Sequence, residues 1–348
     1  MNSMIRVGLI GFGYVGRTFH APLIEAVDGL SLTAIASSDA ARVQTFRPGL
    51  RVVADYAALA TDPAIDLVVI ATPNDSHHAL ARAALLAGKH VVIDKPFTVT
   101  LDQADELVAL AARQGTLLSV FHNRRWDGDF LTLRRHIEGG VLGDVREFIS
   151  RFDRYDPQPR DRWRERAGLG AGLWFDLGPH LIDQALCLFG APQTVSAEMA
   201  RLRDGSQSVD QAQVVLGYPQ RRVTLHCTRL AAHNAARFEA HGTRASFHCE
   251  GLDIQEDQLR AGQQPGAADW GQDPRPVFIT DGAQTPRVAL PVPRLRGDYR
   301  AYYAGVRDAI RGVAPNPVPA SEARRVMAVL DLAQRSSDEG RRLVFDDN

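Results

Sequence analysis

The chain has 348 residues, of which 45% are hydrophobic, with 40 basic against 41 acidic side chains and a formal net charge of -1. That length exceeds one core of usual size and predicts two domains. Nothing in this balanced charge demands a basic face of the kind that holds phosphates, so no nucleic-acid partner is expected. Three cysteines, Cys187, Cys227 and Cys249, lie far apart with no CxxC spacing. They argue against a disulfide framework or a structural zinc site and point to a reducing, cytoplasmic setting. The apolar run at 7–10 is too short for a signal-peptide core or a membrane span, and no membrane partner is expected.

In chain order, residues 7–10 predict a buried strand, and 14–27 a helix in which Pro22 marks a bend or the start of a new segment. A strand at 30–36, a helix at 40–46, a brief strand at 52–54 and a helical turn at 56–61 follow. A strongly apolar strand at 67–71 precedes a helix at 76–87, stopped by Gly88. A strand at 91–93, a helix at 100–114 with Thr100 as N-cap and a strand at 117–120 complete the alternation. Strands alternating with helices predict a parallel, doubly wound sheet over residues 1–122. The pattern then changes. After a helix at 126–138 come β-rich stretches at 145–152, 194–202, 211–216, 222–230, 238–241 and 245–249. A helix at 177–189 sits among them. A polar loop at 263–275, then helices at 299–311 and 321–339, close the chain. Residues 123–348 therefore predict an α+β domain with an open, mostly antiparallel sheet. The fold class is α/β in two parts.

Gly11-Phe12-Gly13-Tyr14-Val15-Gly16 follows a predicted strand and opens a helix. Gly11 permits the tight turn, Gly13 lets the backbone approach a pyrophosphate, and Gly16 lets helix and strand pack closely. Free amides at the positive helix end would hold the anion. A glycine turn with no ligand stays open as the plainer alternative. A methyltransferase is disfavoured, because the second half does not continue the same sheet. About 20 residues on, the next strand ends in Ser37-Ser38-Asp39, where a coenzyme without a 2′-phosphate usually meets an acid. Ser37 leaves room for a 2′-phosphate and can donate to it, and Arg42 adds positive charge. Asp39 argues the other way unless it caps the following helix. This favours NADP, with NAD as the alternative.

Three further segments carry a specific likeness: Ala71-Thr72-Pro73-Asn74 with His77, Asp94-Lys95-Pro96, and the run from Gly170 to His180. With the glycine turn they resemble the glucose-fructose oxidoreductase/inositol dehydrogenase/MocA (Gfo/Idh/MocA) family over essentially the whole chain. The stretches 94–100, 121–127 and 160–165 resemble a bacterial subgroup that includes NADP-dependent scyllo-inositol dehydrogenases. The family's usual Glu-Lys-Pro reads Asp-Lys-Pro here, with an acid one methylene shorter. The resemblance implies an N-terminal Rossmann domain and a C-terminal α+β domain that binds substrate. It also implies a homodimer or homotetramer formed through the C-terminal sheet.

Oxidation of a secondary alcohol needs a base and a hydride acceptor. His180 is the candidate base, because its ordinary pKa lies near working pH. Asp176, four residues earlier, would share a helix face with it and orient the ring or hold a substrate hydroxyl. An N-cap Asp176 beside a surface His180 is the bland alternative. Lys95 leaves a strand end that faces the ligand crevice, where an ammonium would stabilise an alkoxide. By resemblance, Ala71, Thr72, Pro73 and Asn74 line the adenosine and diphosphate side of the cofactor, with His77 close by, and Asp94 and Pro96 join Lys95. Asn123 is expected at the nicotinamide ribose or the substrate, with His122, Arg124 and Arg125 as weaker candidates. One of Arg124 and Arg125 is as readily a structural ion pair. Trp163 resembles a family tryptophan at the nicotinamide end, with core packing as its alternative. Asp183 and Gln184 are further polyol contacts, and Asp298, Tyr299 and Tyr302 further rim candidates. No HExxH or clustered Cys/His pattern points to a metal. The leading reading is hydride transfer between NADP(H) and a secondary hydroxyl or ketone of a cyclic polyol or sugar, an inositol foremost. A non-catalytic dinucleotide sensor, or a family enzyme for another sugar or a dihydrodiol, remains the alternative.

Overall fold

Five of the six residues of β1 (Ile5–Ile10) are buried, Arg6 being exposed, which is the pattern of a central parallel strand. In the computed structural model, which describes residues 4–233 and 236–347, β1 lies between β2 (Leu30–Ala36) and β4 (Leu67–Ile70), parallel to both. With β3 (Arg51–Val53), β5 (His90–Ile93) and β6 (Leu118–Val120) they form a sheet of order β3-β2-β1-β4-β5-β6. All its pairings are parallel. The order reverses at β1/β4, so a crevice opens at their carboxyl ends. The connecting helices are α1 (Ala21–Glu25), α2 (Ala40–Phe46), α3 (Tyr56–Ala60), α4 (His77–Leu86) and α5 (Leu101–Gln114). Thr100 caps α5 by accepting from the Gln103 amide, and Asp55 caps α3.

This first unit is not continuous in sequence. It comprises the chain up to Asn123 together with Gln255–Trp270 and Asp298–Met327. The second unit comprises Arg124–Ile254, Gly271–Gly297 and the chain from Ala328 on. Its strands are β7 (Val145–Arg151), β8 (Thr194–Ala200), β9 (Gln211–Tyr218), β10 (Arg221–Thr228), β11 (Ala236–Gly242) and β12 (Ala245–Glu250). They continue with β13 (Val277–Asp281), β14 (Ala289–Val292) and β15 (Leu343–Val344). The nine strands run β14-β13-β12-β11-β7-β10-β9-β8-β15, antiparallel throughout except for the β7/β10 pair. Along β9, Ala212, Val214, Leu216 and Tyr218 are the buried positions, a period of two that gives the sheet one apolar face. The helix α7 (Leu173–Phe189) packs on β9 and β10, and α6 (Gly128–Glu138) precedes β7. No helix among the described residues is long and apolar enough to cross a membrane.

Several elements differ from the sequence reading. The first helix ends at Glu25 rather than 27 and opens with a π-helical turn, Gly16–His20. The helix expected from 177 begins four residues earlier, at Leu173. Its first amide is fixed by Val209 O at 2.7 Å, and Pro179 lies inside the helix rather than in its first turn. Gly178-Pro179 looks like a breaker, and the packed core on the sheet overrides it. The short helix α8 (Gln255–Arg260) and the strands β13, β14 and β15 were not anticipated. They are brief, and β14 carries a proline. The last helices are α9 (Arg300–Ile310) and α10 (Ala320–Glu339).

Candidate functional site

In the first unit the strand ends form a level row. Ile10 pairs with Ala36 and Ile70, Ile70 with Ile93, and Ile93 with Val120. The ladder continues one residue further, through Gly11 N to Ala36 O, Ala71 N to Ile10 O, Asp94 N to Ile70 O and Phe121 N to Ile93 O, at 2.8–2.9 Å. Gly11, Ser37, Ala71, Asp94 and Phe121 therefore each stand directly beyond a strand. Lys95, Thr72 and His122 follow one step on.

The three turn glycines are distinct physically. Gly11 has φ +98°, and a Cβ there would sit 2.5 Å from Ala71 O. A Cβ on Gly16 would sit 2.1 Å from Gly11 O. Both are required by packing. A Cβ on Gly13 would meet nothing within 4 Å, and Gly13 is exposed. Open space over Gly13, at the amide end of a helix, fits a pyrophosphate held by main-chain N–H groups. Phe12 is buried, its ring edge-on to Phe46 at 6.4 Å. Tyr14 donates to Glu256 Oε1 at 3.1 Å, so α8 lies against the glycine turn, and Val15 is half-buried.

At the tip of β2, Ser37 is buried and its hydroxyl accepts from the Asp39 amide at 3.1 Å, while Ser38 is exposed. Asp39 caps α2, accepting from the Arg42 amide at 2.9 Å, and also pairs with the Arg42 guanidinium at 3.1 Å. No carboxylate replaces Ser37 at the strand tip itself. A cavity of about 690 Å³ lined by Arg17, Phe46, Leu259 and Gln263 lies on the same unit and shares no lining residue with these positions.

Beyond β4 and β5 two loops are tied together. The His77 ring, fully buried, spans Pro96 O and Thr72 O, 3.0 Å from each. Burial pushes this imidazole below its ordinary pKa, against the pull of Asp94 and those carbonyls. Thr72 accepts from Ser76 at 2.6 Å, Pro73 is exposed and Asn74 is buried. The Lys95–Pro96 peptide is cis, with Pro96 buried and Lys95 half-buried. Burial would raise Asp94, but His20, Lys95 and His77 hold its carboxyl below the usual carboxylate range. Asn123 is buried at the end of the unit.

In the second unit, Asp176 and His180 sit one turn apart on α7, 14% and 6% exposed respectively. That spacing places both on one helix face. The His180 ring stacks on Phe152 at 6.2 Å, and the Arg124 guanidinium lies 4.8 Å from the same Phe152 ring. Arg124 also pairs with Asp127 at 3.3 Å. Asp176 stands 4.0 Å from Arg164, whose guanidinium covers the Trp163 ring. Trp163 is 38% exposed, which sets aside the core-packing alternative for it.

Four sequence candidates prove structural. Asp183 is gripped by Arg125 at 2.6 and 3.0 Å, and Gln184 joins Arg124 O to Arg237 at 2.9 and 2.6 Å. Tyr299 and Tyr302 are fully buried in the first unit. Other residues gave no local signal. His20 contacts Asp94 and Tyr303 across long sequence separations. Arg203 binds Glu165 at 2.9 Å and Asp210 at 3.0 Å, anchoring the turn Trp163–Glu165. Among the described residues no cluster of His, Cys, Asp and Glu has the makings of a metal site.

Two family models match the chain: "Oxidoreductase family, NAD-binding Rossmann fold" over residues 5–122 and "Oxidoreductase family, C-terminal alpha/beta domain" over 134–345. The chain belongs to the Gfo/Idh/MocA oxidoreductase family. It is 53% identical over 337 residues to the uncharacterized oxidoreductase YdgJ of Escherichia coli K12, covering 97% of each chain. It is 36% identical over 344 residues to IolW of Bacillus subtilis 168, named scyllo-inositol 2-dehydrogenase (NADP(+)), covering 98% of this chain and 96% of IolW. A solved oxidoreductase structure from Yersinia pestis superposes with a TM-score of 0.95 at 53% identity, covering 99% of this chain and 98% of that one. The Gfo/Idh/MocA assignment makes this an NAD(P)-binding oxidoreductase with a Rossmann unit and a mixed, mostly antiparallel second sheet.

Proposed function

We propose that this family member is an NADP-dependent dehydrogenase acting on a secondary hydroxyl of a cyclic polyol, with scyllo-inositol as the leading substrate. The observation that carries the coenzyme choice is Ser37 at the β2 tip, where no carboxylate opposes a 2′-phosphate. The likeness to IolW along nearly the whole chain supports the substrate. In this reading His180 takes the hydroxyl proton, with Asp176 orienting the ring or holding a neighbouring hydroxyl. The Lys95 ammonium stabilises the alkoxide as it develops. Bound coenzyme supplies the hydride acceptor at nicotinamide C4. Gly11 to Gly16, Ser37, Ser38, Ala71 to Asn74, His77, Asp94, Pro96, Asn123 and Trp163 would hold the coenzyme. Lys95, Asn123, Arg124, Asp176 and His180 would contact substrate. We further propose assembly into a homodimer or homotetramer through the nine-stranded sheet. The exposed Leu290 on β14 supports this, and light scattering on the eluted protein checks it.

The test is absorbance at 340 nm with a panel of inositols and sugars, offered with NADP and with NAD. Reduction of NADP by an inositol is the expected result. Binding of coenzyme without turnover of any member would overturn the dehydrogenase reading in favour of a dinucleotide sensor. Lys95→Met should lower kcat by about two to three orders of magnitude, the usual cost of losing one electrostatic stabiliser, while sparing coenzyme affinity. Near-normal turnover in that variant removes Lys95 from the mechanism.

A further inference from the structure

We propose that the cavity lined by Arg17, Phe46 and Leu259 is a binding site, separate from the coenzyme's, for a phosphate monoester carried on a flat aromatic body, such as a nucleoside monophosphate. This goes beyond the function proposed above and does not depend on it.

All the walls of this cavity belong to the first unit. Arg17 comes from the π-helical turn, Pro22 and Glu25 from α1, Phe46 from the end of α2, and Leu259 and Arg260 from α8. The volume of about 690 Å³ falls among small-molecule sites, which span roughly 300–1,000 Å³. Two hydrogen bonds fix the walls. The Arg17 amide donates to Gly13 O at 3.1 Å, and Tyr14 ties the glycine turn to Glu256 of α8 at 3.1 Å. None of residues 11–16, Ser37, Ser38 or 71–74 lines the cavity, which sets it apart from the row of strand ends.

The charge of the lining selects an anion. Three guanidiniums, those of Arg17, Arg47 and Arg260, stand with one carboxylate, that of Glu25. Arg47 is committed to that carboxylate, donating to its two oxygens at 2.7 and 3.0 Å. Arg260 lies 3.4 Å from the exposed Asp257. Arg17 has no ion pair among the described residues, and its guanidinium lies 4.7 Å from the centre of the Phe46 ring. Contact with the ring orients the planar fork, and its N–H groups stay available for the paired hydrogen bonds that a phosphate accepts. The body of the ligand has a wall of its own. Phe46 is 44% exposed, edge-on to Phe12, with Pro22, Leu259 and Pro265 in the same lining. An aromatic ring so exposed in a concave wall favours a flat, weakly polar group over water. Inorganic phosphate would satisfy Arg17 and leave that wall wet, whereas an aromatic phosphate ester meets both.

The test uses the full chain saturated with NADP, or with NAD if that is the coenzyme it holds, so that the strand ends are filled. Calorimetric titration with AMP should then still show binding. Adenosine and inorganic phosphate, the two halves of the probe, should each bind about tenfold or more weakly. Arg17→Gln should raise the Kd for AMP by about tenfold or more, the usual loss for a hydrogen bond to a charged group. Phe46→Ala should raise it by roughly threefold to tenfold, the loss of one aromatic contact. In Arg17→Gln the coenzyme Kd and Tm should both hold, because that side chain leaves no carboxylate behind. Should Phe46→Ala fail to fold through its contact with Phe12, Phe46→Leu keeps the apolar bulk and removes the ring. An AMP affinity unchanged in Phe46→Leu would overturn the aromatic wall. Absence of AMP binding once coenzyme is bound, or an AMP affinity unchanged in Arg17→Gln, would overturn the site. A coenzyme Kd that rises with the AMP Kd in Arg17→Gln would also overturn it, because Arg17 would then belong to the coenzyme's own site.

Discussion

At the strand ends of the first unit, the groups offered to a ligand are largely main chain. The glycine turn leaves amides open above Gly13, and the neighbouring loops are pinned by His77 through two carbonyls. On α7 of the second unit the offered groups are side chains. Asp176 and His180 project from one helix face, and buried ion pairs such as Arg125–Asp183 and Arg203–Glu165 hold their surroundings. A main-chain cradle recognises a chemical feature shared by many ligands, a diphosphate. A side-chain cluster can change its specificity without moving the backbone. The difference explains why one half is readable from glycine spacing and the other requires three-dimensional partners.

The sharpest way to break this contrast is at the glycines. Gly16→Ala forces a Cβ to within 2.1 Å of Gly11 O and should lower Tm by several degrees and abolish coenzyme binding together. Gly13→Ala meets no protein atom, so Tm should hold while coenzyme Kd rises by about tenfold or more, in line with steric loss at a ligand-facing amide. Equal damage to Tm in both variants would mean that Gly13 serves packing. Next in size is Ser37→Asp. A carboxylate beside the 2′-phosphate should shift the NADP/NAD ratio of Kd values toward NAD by about tenfold or more. An unmoved ratio would transfer the discrimination to another residue. The smallest effect is with pH. His77 and His90 have pKa values lowered by burial, so the folded state resists a proton that the unfolded chain accepts near pH 6.5. Their stabilisation is complete above about pH 6.5 and is lost below it, by at most about 1.4 kcal/mol per pH unit for each histidine. Melting curves from pH 7.5 to 5.5 should show this decline, and His77→Gln should flatten it.

Much of the fold was legible because its signals are local. The strand before Gly11, the Thr100 cap and the alternation up to Val120 each occupy a few adjacent residues. The beginning of α7 was not legible, because Gly178-Pro179 mimics a stop and the true start depends on Val209, far along the chain. The helix α8 and strand β14 are too short for periodicity to reveal. For the candidate site, the sequence singled out positions such as Lys95 and His180 as candidates but not their neighbours. Nothing near His20 announces Tyr303, 283 residues away, and nothing near Asp183 singles out Arg125 over Arg124 as its partner.

The discontinuity of the first unit bears on the order of events during synthesis. Its parallel sheet is complete in sequence at Val120, yet Tyr302 and Tyr303, which close over Ser119 and His20, belong to α9. At ordinary elongation rates the ribosome needs roughly ten seconds or more to supply them. During that interval Phe121 and His20 lack their cover, and the half-made unit is a natural client for chaperones. A gene truncated after codon 123 should accordingly yield a sheet without its lid, prone to aggregate although every strand is present.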